Sequence, residues 1–391
     1  MGVCGSSAEL DEQMRKQWAG QSNWSAVPVQ RRRLSVSAVE GDYADMDANE
    51  LEEDRGLIKL LDAKTVVDLL ESGCTGGRKM SISSTTDRNK TPFSSKAMKE
   101  IGGKFDPAVA SIGYSCRKGL KPERLNQDSW FVLRVEGERP CSIYAVFDGH
   151  GQNGHEVSNF VKENLPKLIV KDPRFMTDQT DEMLVDCFKK MQRLIASSDR
   201  MKNSARLSGT TCTLAIHDIQ KDKITVAHVA DSRAVLSKRC GQKCGGVQLT
   251  RDHKPVLPDE RKRIESGGGR VVFDGYENHR VYAKDSRFPG LNMSRCLGDL
   301  MGHSECGLSC EPEVMVRELS AEDVALLICS DGVWEFISPD EAVGIVSTYR
   351  PDQAMMAAET LAKEAWDRWI QEEGGSVVDD ITVLFVHLKQ K

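Results

Sequence analysis

Five aspartates in this chain stand beside short apolar runs: Asp148 after SIYAVF, Asp231 after ITVAHVA, Asp331 after VALLICS, and Asp379 with Asp380 before ITVLFVHL. Taken singly, an aspartate at the end of such a run is a turn residue, the more so in the Asp148-Gly149 and Asp331-Gly332 dipeptides. Asp148 also has His150 two residues on, and the nearest basic side chains in sequence are Arg139 and Lys162. It is therefore either a turn former or a metal ligand beside a titratable imidazole. The set as a whole weighs toward chemistry. If antiparallel strands bring these ends to one rim, like charges raise each other's pKa unless a cation compensates. Hard carboxylate oxygens suit Mg²⁺ or Mn²⁺, and two such ions sharing a carboxylate activate water and clamp an in-line displacement at phosphorus. No GxSxG elbow, HExxH helix or GxxxxGK[ST] loop offers a competing centre.

The runs that carry the aspartates are rich in β-branched, aliphatic and aromatic residues, as buried strands are. Ala110 to Cys116, Ser129 to Val135, Ser142 to Phe147, Thr211 to His217, Ile224 to Ala230, Ala234 to Ser237, Val324 to Cys329 and Ile381 to Leu388 are predicted strands. Helices are predicted where apolar residues recur every three or four positions: Val157, Phe160, Val161 and Leu165 mark one, and Met183 through Ile195 another. A shorter helix is expected over Asp259 to Glu265, turned off by Gly267 to Gly269. One from Pro351 to Ile370 has Pro351 in its first turn and Trp366 and Trp369 packing inward.

Ahead of this, Leu51, Leu57, Ile58, Leu60, Leu61, Val66, Val67, Leu69 and Leu70 predict one helix or two broken near Asp62, stopped by Gly73. Gly76 to Lys104, rich in Gly, Ser, Thr and Lys, is expected to be a linker. The organisation read from the sequence is an N-terminal extension over 1–104, largely disordered apart from the helical 49–73, and a compact domain over 105–391.

At 391 residues and 39% hydrophobic the chain can bury a large core, and a net charge of -6 argues against a nucleic-acid binder. There is no apolar run of the ~20 residues that a membrane-spanning helix needs, and no apolar core of a secretory signal. Twelve cysteines then read as reduced intracellular thiols. The CxxxC pairs Cys240/Cys244 and Cys306/Cys310, the second near His303, lie far apart and lack CxxC spacing, so zinc is a weak alternative. MGVCGSS matches the pattern for N-myristoylation at Gly2 with Ser6 in the required position, and Cys4 is a palmitoylation candidate that would supply the second chain that stable anchoring needs. Arg31 to Arg33 would add a basic patch, with Ser35 just beyond as a kinase acceptor or merely part of a solvated linker.

Eight motifs in order resemble those of the metal-dependent serine/threonine protein phosphatases of type 2C, the PPM family: LNQD at 125–128, VFDGHG at 146–151, SGTT at 208–211, ADSR at 230–233, DHKP at 252–255, SRCLGD at 294–299, CSDGVWE at 329–335 and DDITV at 379–383. The resemblance covers about 111–387. It implies an α+β fold, a central β-sandwich of two antiparallel sheets with helices on both faces. It implies Mg²⁺ or Mn²⁺ as cofactor, two ions with a weaker third. Asp148 would bridge the two ions and Gly149 lend its carbonyl. Asp331 and Asp379 would complete the first ion's ligands, Asp128 hold water on a metal, and Asp231 serve the third ion. His150 would be the general acid for the leaving oxygen, and Asp299 is expected to be structural.

The chain departs from the family pattern in three places. Gln127 stands where many relatives have Glu, Glu335 where Asp is frequent, and Glu123 where the phosphate-binding Arg is found. Arg124, then Lys121 or Arg117, is expected to take over that last role. The leading expectation is a phosphatase acting on phosphorylated proteins as a monomer, at the cytoplasmic face of a membrane through its acylated N-terminus and in the cytoplasm, not secreted. Gln127 motivates an alternative, a phosphatase-fold regulatory or binding protein with low turnover. A hydrolase of other phosphoesters is a third reading.

Overall fold

The computed structural model describes residues 48–71, 77–86, 89–121 and 124–388. The chain opens with α1 (Ala48–Ala63) and α2 (Val66–Glu71), then β1 (Lys79–Ser84), β2 (Met98–Ile101), the short α3 (Pro107–Ala110), β3 (Ile112–Arg117), β4 (Ser129–Val135), β5 (Cys141–Phe147) and β6 (Gly149–Gly151). Helices α4 (Gly154–Lys171) and α5 (Thr180–Ser197) follow, then β7 (Ser208–Thr210), β8 (Cys212–Asp218), β9 (Lys223–Val229), β10 (Arg233–Cys240) and β11 (Lys243–Gln248). After α6 (Pro258–Ser266) come β12 (Gly269–Phe273), β13 (His279–Ala283), β14 (Pro289–Leu291), β15 (Leu297–Gly298), α7 (Leu300–Glu305), β16 (Glu313–Glu318) and β17 (Asp323–Cys329). The last elements are α8 (Asp331–Trp334), α9 (Pro339–Val346), α10 (Ala354–Glu372) and β18 (Ile381–His387).

The strands form a seven-stranded sheet, ordered β16-β9-β8-β5-β4-β1-β2, and a five-stranded sheet, ordered β11-β10-β17-β18-β3. Neighbours in both run antiparallel. Strand β5 shows why its sequence is apolar at every position from Ile143 to Phe147. Tyr144 and Val146 point into the layer shared with Ile328, Leu384 and Leu236 of the five-stranded sheet. Ile143, Ala145 and Phe147 point the other way, against Val157, Phe160 and Val161 of α4 and the α5 stripe from Met183 to Ile195. A strand covered on both faces has no polar side to alternate with. Each such large side chain, fully buried, contributes roughly 1.5–3 kcal/mol. Tyr114 of β3 stacks on Trp130 of β4 with centroids 4.4 Å apart, joining the two sheets. On the outer face of the five-stranded sheet, Val235, Leu327 and Phe385 pack against Val343 of α9 and Leu361 of α10. The expected sandwich with helices on both faces is the fold of this chain.

The expected linker is not one. Residues 79–84 pair with β4 and with 98–101, with Lys79 opposite Val135 and Ser81 opposite Ile101, and Met80 and Ile82 enter the layer between the sheets. The serines of KMSISS concealed a strand whose apolar residues still alternate. The helical segment divides after Ala63, close to the expected break, and Leu61, Val66, Val67 and Leu70 belong to the core beneath α4 and α5. Asp54, 1% exposed, takes hydrogen bonds from Arg193 and from Ser197 Oγ at 3.1 Å. The boundary read at 104/105 is thus corrected: the described part of 48–104 is built into the sandwich. Pro351 begins a single 3₁₀ turn, Pro351–Gln353, ahead of α10.

Candidate active site

Sheet order delivers the aspartates to one rim from both layers. In the larger sheet β5 and β9 end one and two residues before Asp148 and Asp231, in the smaller sheet β17 ends two residues before Asp331, and β18 begins just after Asp379 and Asp380. Asp148 and Asp331 share a hydrogen bond between their carboxyls, and both lie in the field of Asp379. Desolvation first, then Asp128, Asp331 and Asp379, holds the Asp148 acid well above the usual carboxylate range. Asp331 is pushed up to about 7 by desolvation and by Asp379 and Asp231. Asp128, fully buried, is likewise raised to about 7 by its burial and the charge of Asp380.

Asp128 is aimed by its surroundings. Its Oδ2 accepts from Ser330 Oγ at 2.8 Å, its N–H donates to Asn126 Oδ1 at 2.9 Å, and its carbonyl accepts from Lys96 Nζ. Its Oδ1 is buried with no hydrogen-bond partner, and so is Oδ1 of Asp231. The two residues of the Asp-Asp pair divide their work. Asp379 faces the cluster, whereas Asp380 accepts from the N–H groups of Gly119 and Gln127, both at 2.7 Å, and fixes the loop between β3 and β4. Asp148 is held through its backbone, its N–H on Thr211 Oγ1 at 2.9 Å and its carbonyl on Thr211 N at 2.8 Å. A Cβ on Gly149 would lie 2.6 Å from the Gln127 carbonyl oxygen, so only glycine lets these segments close on each other.

His150 sits beside the rim with Nε2 bonded to Asp299 Oδ2. Burial works against its charge, but Asp299 outweighs it and raises the imidazole pKa, while Nδ1 is buried and unpartnered. Gly209 makes the pair possible, since a Cβ there would come within 2.1 Å of Asp299 Oδ2 and 2.8 Å of His150 Nε2. Asp299 is therefore more than a structural residue: it is the group that orients His150. Asp231 pairs with Lys254 Nζ, and the preceding Ala230 adopts φ 76°. Its N–H donates to His253 Nδ1 at 3.0 Å and its carbonyl accepts from His253 N at 3.0 Å. Sequence reasoning assigned no role to Lys254, His253 or Ser330; their one signal was membership of the DHKP and CSDG motifs.

The three basic candidates separate. Lys121 Nζ lies on Asp379, which raises the lysine pKa against the opposing effect of burial. Arg117 is not at the rim; it pairs with Glu359 of α10 and donates to the Phe93 carbonyl at 3.3 Å. Arg124 is exposed, further along the loop between β3 and β4. Gln127 donates from Nε2 to the Gly151 carbonyl at 2.9 Å. Glu335 lies in the field of Lys254, Glu277 and Asp231, with its pKa raised chiefly by burial. Gly2, Cys4, Arg31 to Arg33, Ser35 and Glu123 lie outside the described residues. Among the described residues the CxxxC pairs form no cluster of three metal-binding groups. The groups that do are His150 with Cys296 and Asp299, and His228 with His253 and Glu313.

The residues present fit divalent ions. Five aspartates face only two lysines at the rim, two carboxylate oxygens are buried without partners, and every donor is a hard oxygen. Asp148, the Gly149 carbonyl, Asp331 and Asp379 are the group that would hold such a cation, with Asp128 and Asp231 on either side.

The sequence family described as Protein phosphatase 2C matches residues 121–373. Probable protein phosphatase 2C 72 of Arabidopsis thaliana is 32% identical over 305 residues, covering 75% of this chain and 90% of that protein. Probable protein phosphatase 2C 48 of Oryza sativa subsp. japonica is 35% identical over 295 residues, covering 69% and 82%. The crystal structure of serine-threonine phosphatase 2C from Toxoplasma gondii superposes with a TM-score of 0.63 at 22% identity, over 71% of this chain and 94% of that one, a likeness of fold. With eight motifs in order, their aspartates gathered at one rim and relatives matched over most of their length, this chain belongs to the protein phosphatase 2C family and is a type 2C protein phosphatase, one whose family implies dependence on divalent metal.

Proposed function

We propose that the chain removes phosphate from phosphoserine and phosphothreonine in proteins, with two Mg²⁺ or Mn²⁺ ions and a weaker third at Asp231. The observation that carries this reading is the meeting of Asp148, Asp331, Asp379 and Asp128 beside a histidine paired with an aspartate. When bound, the ions supply Lewis acidity toward the phosphate oxygens and the attacking water. The protein's own residues supply the rest. Asp299 fixes His150 through Nε2, so the proton to be given is the one on Nδ1, and it goes to the departing seryl or threonyl oxygen. Arg124, with Lys121 as the second candidate, is proposed to meet phosphate charge in place of the family's arginine; Arg117, paired with Glu359, is set aside. The test is phosphate release from a phosphoseryl peptide with Mn²⁺, then with excess chelator. Release that persists with chelator sinks the metal-dependent reading, and absence of release at saturating Mn²⁺ favours the low-turnover binding protein that Gln127 motivated.

Myristoylation at Gly2 and palmitoylation at Cys4, with attachment to the cytoplasmic face of a membrane, are proposed from MGVCGSS alone. A single myristoyl chain binds membranes only marginally, so Gly2→Ala is expected to release the protein and Cys4→Ser to leave weak, exchanging attachment. A Gly2→Ala protein that fractionates with membranes as the wild type does overturns this.

A further inference from the structure

At the end of the five-stranded sheet away from the aspartates lies a cavity of about 630 Å³. The same strands reach both places. Strand β17 runs from Ala325 in the cavity wall to Cys329, two residues short of Asp331, about 13 Å at the rise of a strand. Strand β18 leads from Asp379 to Phe385, His387 and Leu388, and β10 from Asp231 to Ser237 and Arg239.

The lining is uneven in its charge. Arg239 and Lys243 contribute the cationic groups, and no aspartate or glutamate lines the cavity. Neither cation makes an ion pair among the described residues. The nearby acids are engaged elsewhere: Glu322 with Lys238 at 3.3 Å, Asp323 with Arg317 at 3.0 Å, and Asp340 as acceptor from Gly246 N at 2.8 Å. The floor is apolar, made by Val324, Ala325, Phe385 and Leu388. Two polar atoms in the wall lack partners: Ser237 Oγ, on a residue 2% exposed, and His387 Nε2. A buried hydroxyl or ring nitrogen left unpaired is destabilising, and a ligand seated here would relieve both. The volume lies within the range of roughly 300–1,000 Å³ typical of small-molecule sites.

We propose that this cavity binds a small organic anion: one carboxylate, sulfonate or phosphate group met by Arg239 and Lys243, on a compact aromatic or aliphatic body lying over Val324, Phe385 and Leu388. Ser237 Oγ and His387 Nε2 hydrogen-bond polar atoms of the body. The site is separate from the phosphatase centre and stands whether or not the proposed substrate reading does.

The test compares two fluorescent probes of nearly the same body on the full chain, 8-anilinonaphthalene-1-sulfonate and the uncharged N-phenyl-1-naphthylamine. One saturable site is expected for the sulfonate and binding weaker by about tenfold for the amine, equivalent to roughly 1.4 kcal/mol, since the amine lacks the charge-assisted contact. Reversing both cations, Arg239→Glu with Lys243→Glu, is expected to weaken the sulfonate about tenfold or more and leave the amine within about twofold. Inorganic phosphate in tenfold excess should not displace the sulfonate, because it lacks the body. An unchanged sulfonate affinity in the double variant, equal affinity of the two probes for the wild type, or displacement by phosphate alone overturns the proposal. Should the double variant fail to fold by circular dichroism, Lys243→Gln decides, with about a threefold loss expected and no loss overturning it. All these readouts are independent of catalysis.

Discussion

Two acidic centres in this molecule meet the problem of burial in opposite ways. Glu260 on α6 is fully buried, and the chain supplies its compensation: both oxygens take hydrogen bonds from Arg263 at 2.8 and 2.7 Å, Arg295 adds contacts at 3.0 and 2.6 Å, and Ser294 Oγ bonds Oε2. Burial alone would raise its pKa, but the two arginines outweigh it and hold the acid below its ordinary value. At the aspartate rim the balance is reversed. Asp128, Asp148 and Asp331 are all raised, with desolvation and one another's charges as the causes, and Lys121 and Lys254 offset only part of the surplus. One centre is electrostatically finished by the sequence itself. The other is stable only at the expense of its own charges, which makes physical sense where a cation from outside completes it.

The sharpest way to break that contrast is Asp148→Ala. Removing the carboxylate shared with Asp331 is expected to lower phosphatase turnover on the order of 10³-fold or more, since metal-borne charge stabilisation is worth several kcal/mol. The thermal midpoint in chelator should stay level or rise, because a repulsive neighbour has gone. A lower midpoint in chelator would show that Asp148 belongs to the stabilising kind of acid, like Glu260, and the contrast would fail.

His150→Ala is expected to cost about 10²–10⁴-fold on a phosphoseryl peptide, the usual contribution of a positioned general acid, and much less on an aryl phosphate whose leaving group needs no proton. Asp299→Asn should show the same preference at smaller size, because it orients His150 without touching substrate. The ratio of kcat on the two substrates is the measurement, and equal losses on both would remove the acid role from His150.

Much of this was legible in the sequence, and the reason is local. Strands such as Ile143 to Phe147 are apolar at every position because both faces are covered, and helix α5 repeats its stripe for four turns; neither signal needs long-range information. The aspartates were legible because each closes an apolar run. What escaped depends on partners distant in the chain. Strand β1 looks like a serine-rich linker until β4 is placed beside it. The role of Asp299 exists only because β6, β7 and β15 bring it to His150, 149 residues away, through a gap that Gly209 leaves open. Arg117 ranked with Lys121 by closeness in sequence, yet its strand carries it toward Glu359 instead.

The compensated centre yields a stability prediction. Glu260→Ala strands two arginine charges that are only partly exposed, and is expected to cost about 3 kcal/mol in chemical denaturation. The sign with pH follows from the lowered folded-state pKa. The contribution of Glu260 is fully present above its unfolded value of 4.5 and is lost as pH falls toward the folded value. Wild type should therefore lose stability below about pH 4.5 more steeply than Glu260→Gln. Parallel curves for the two proteins would mean that the arginines do not stabilise the charge.

The smallest expected effect concerns Gln127, which stands at the edge of the uncompensated centre. Its Nε2 donates to the Gly151 carbonyl at 2.9 Å while its backbone N–H is held by Asp380. Glutamate at this position would set oxygen against oxygen and lose that hydrogen bond, worth about 1 kcal/mol. The chelated Gln127→Glu protein should accordingly melt slightly lower than wild type. The displaced carboxylate adds negative charge to a rim already in surplus, so the cost without metal and the gain with it have the same origin. The Mn²⁺ concentration for half-maximal activity is expected to fall about fivefold, the equivalent of roughly 1 kcal/mol. A lower melting point with an unchanged Mn²⁺ curve would show that the side chain remains turned toward Gly151 and outside the reach of the metal.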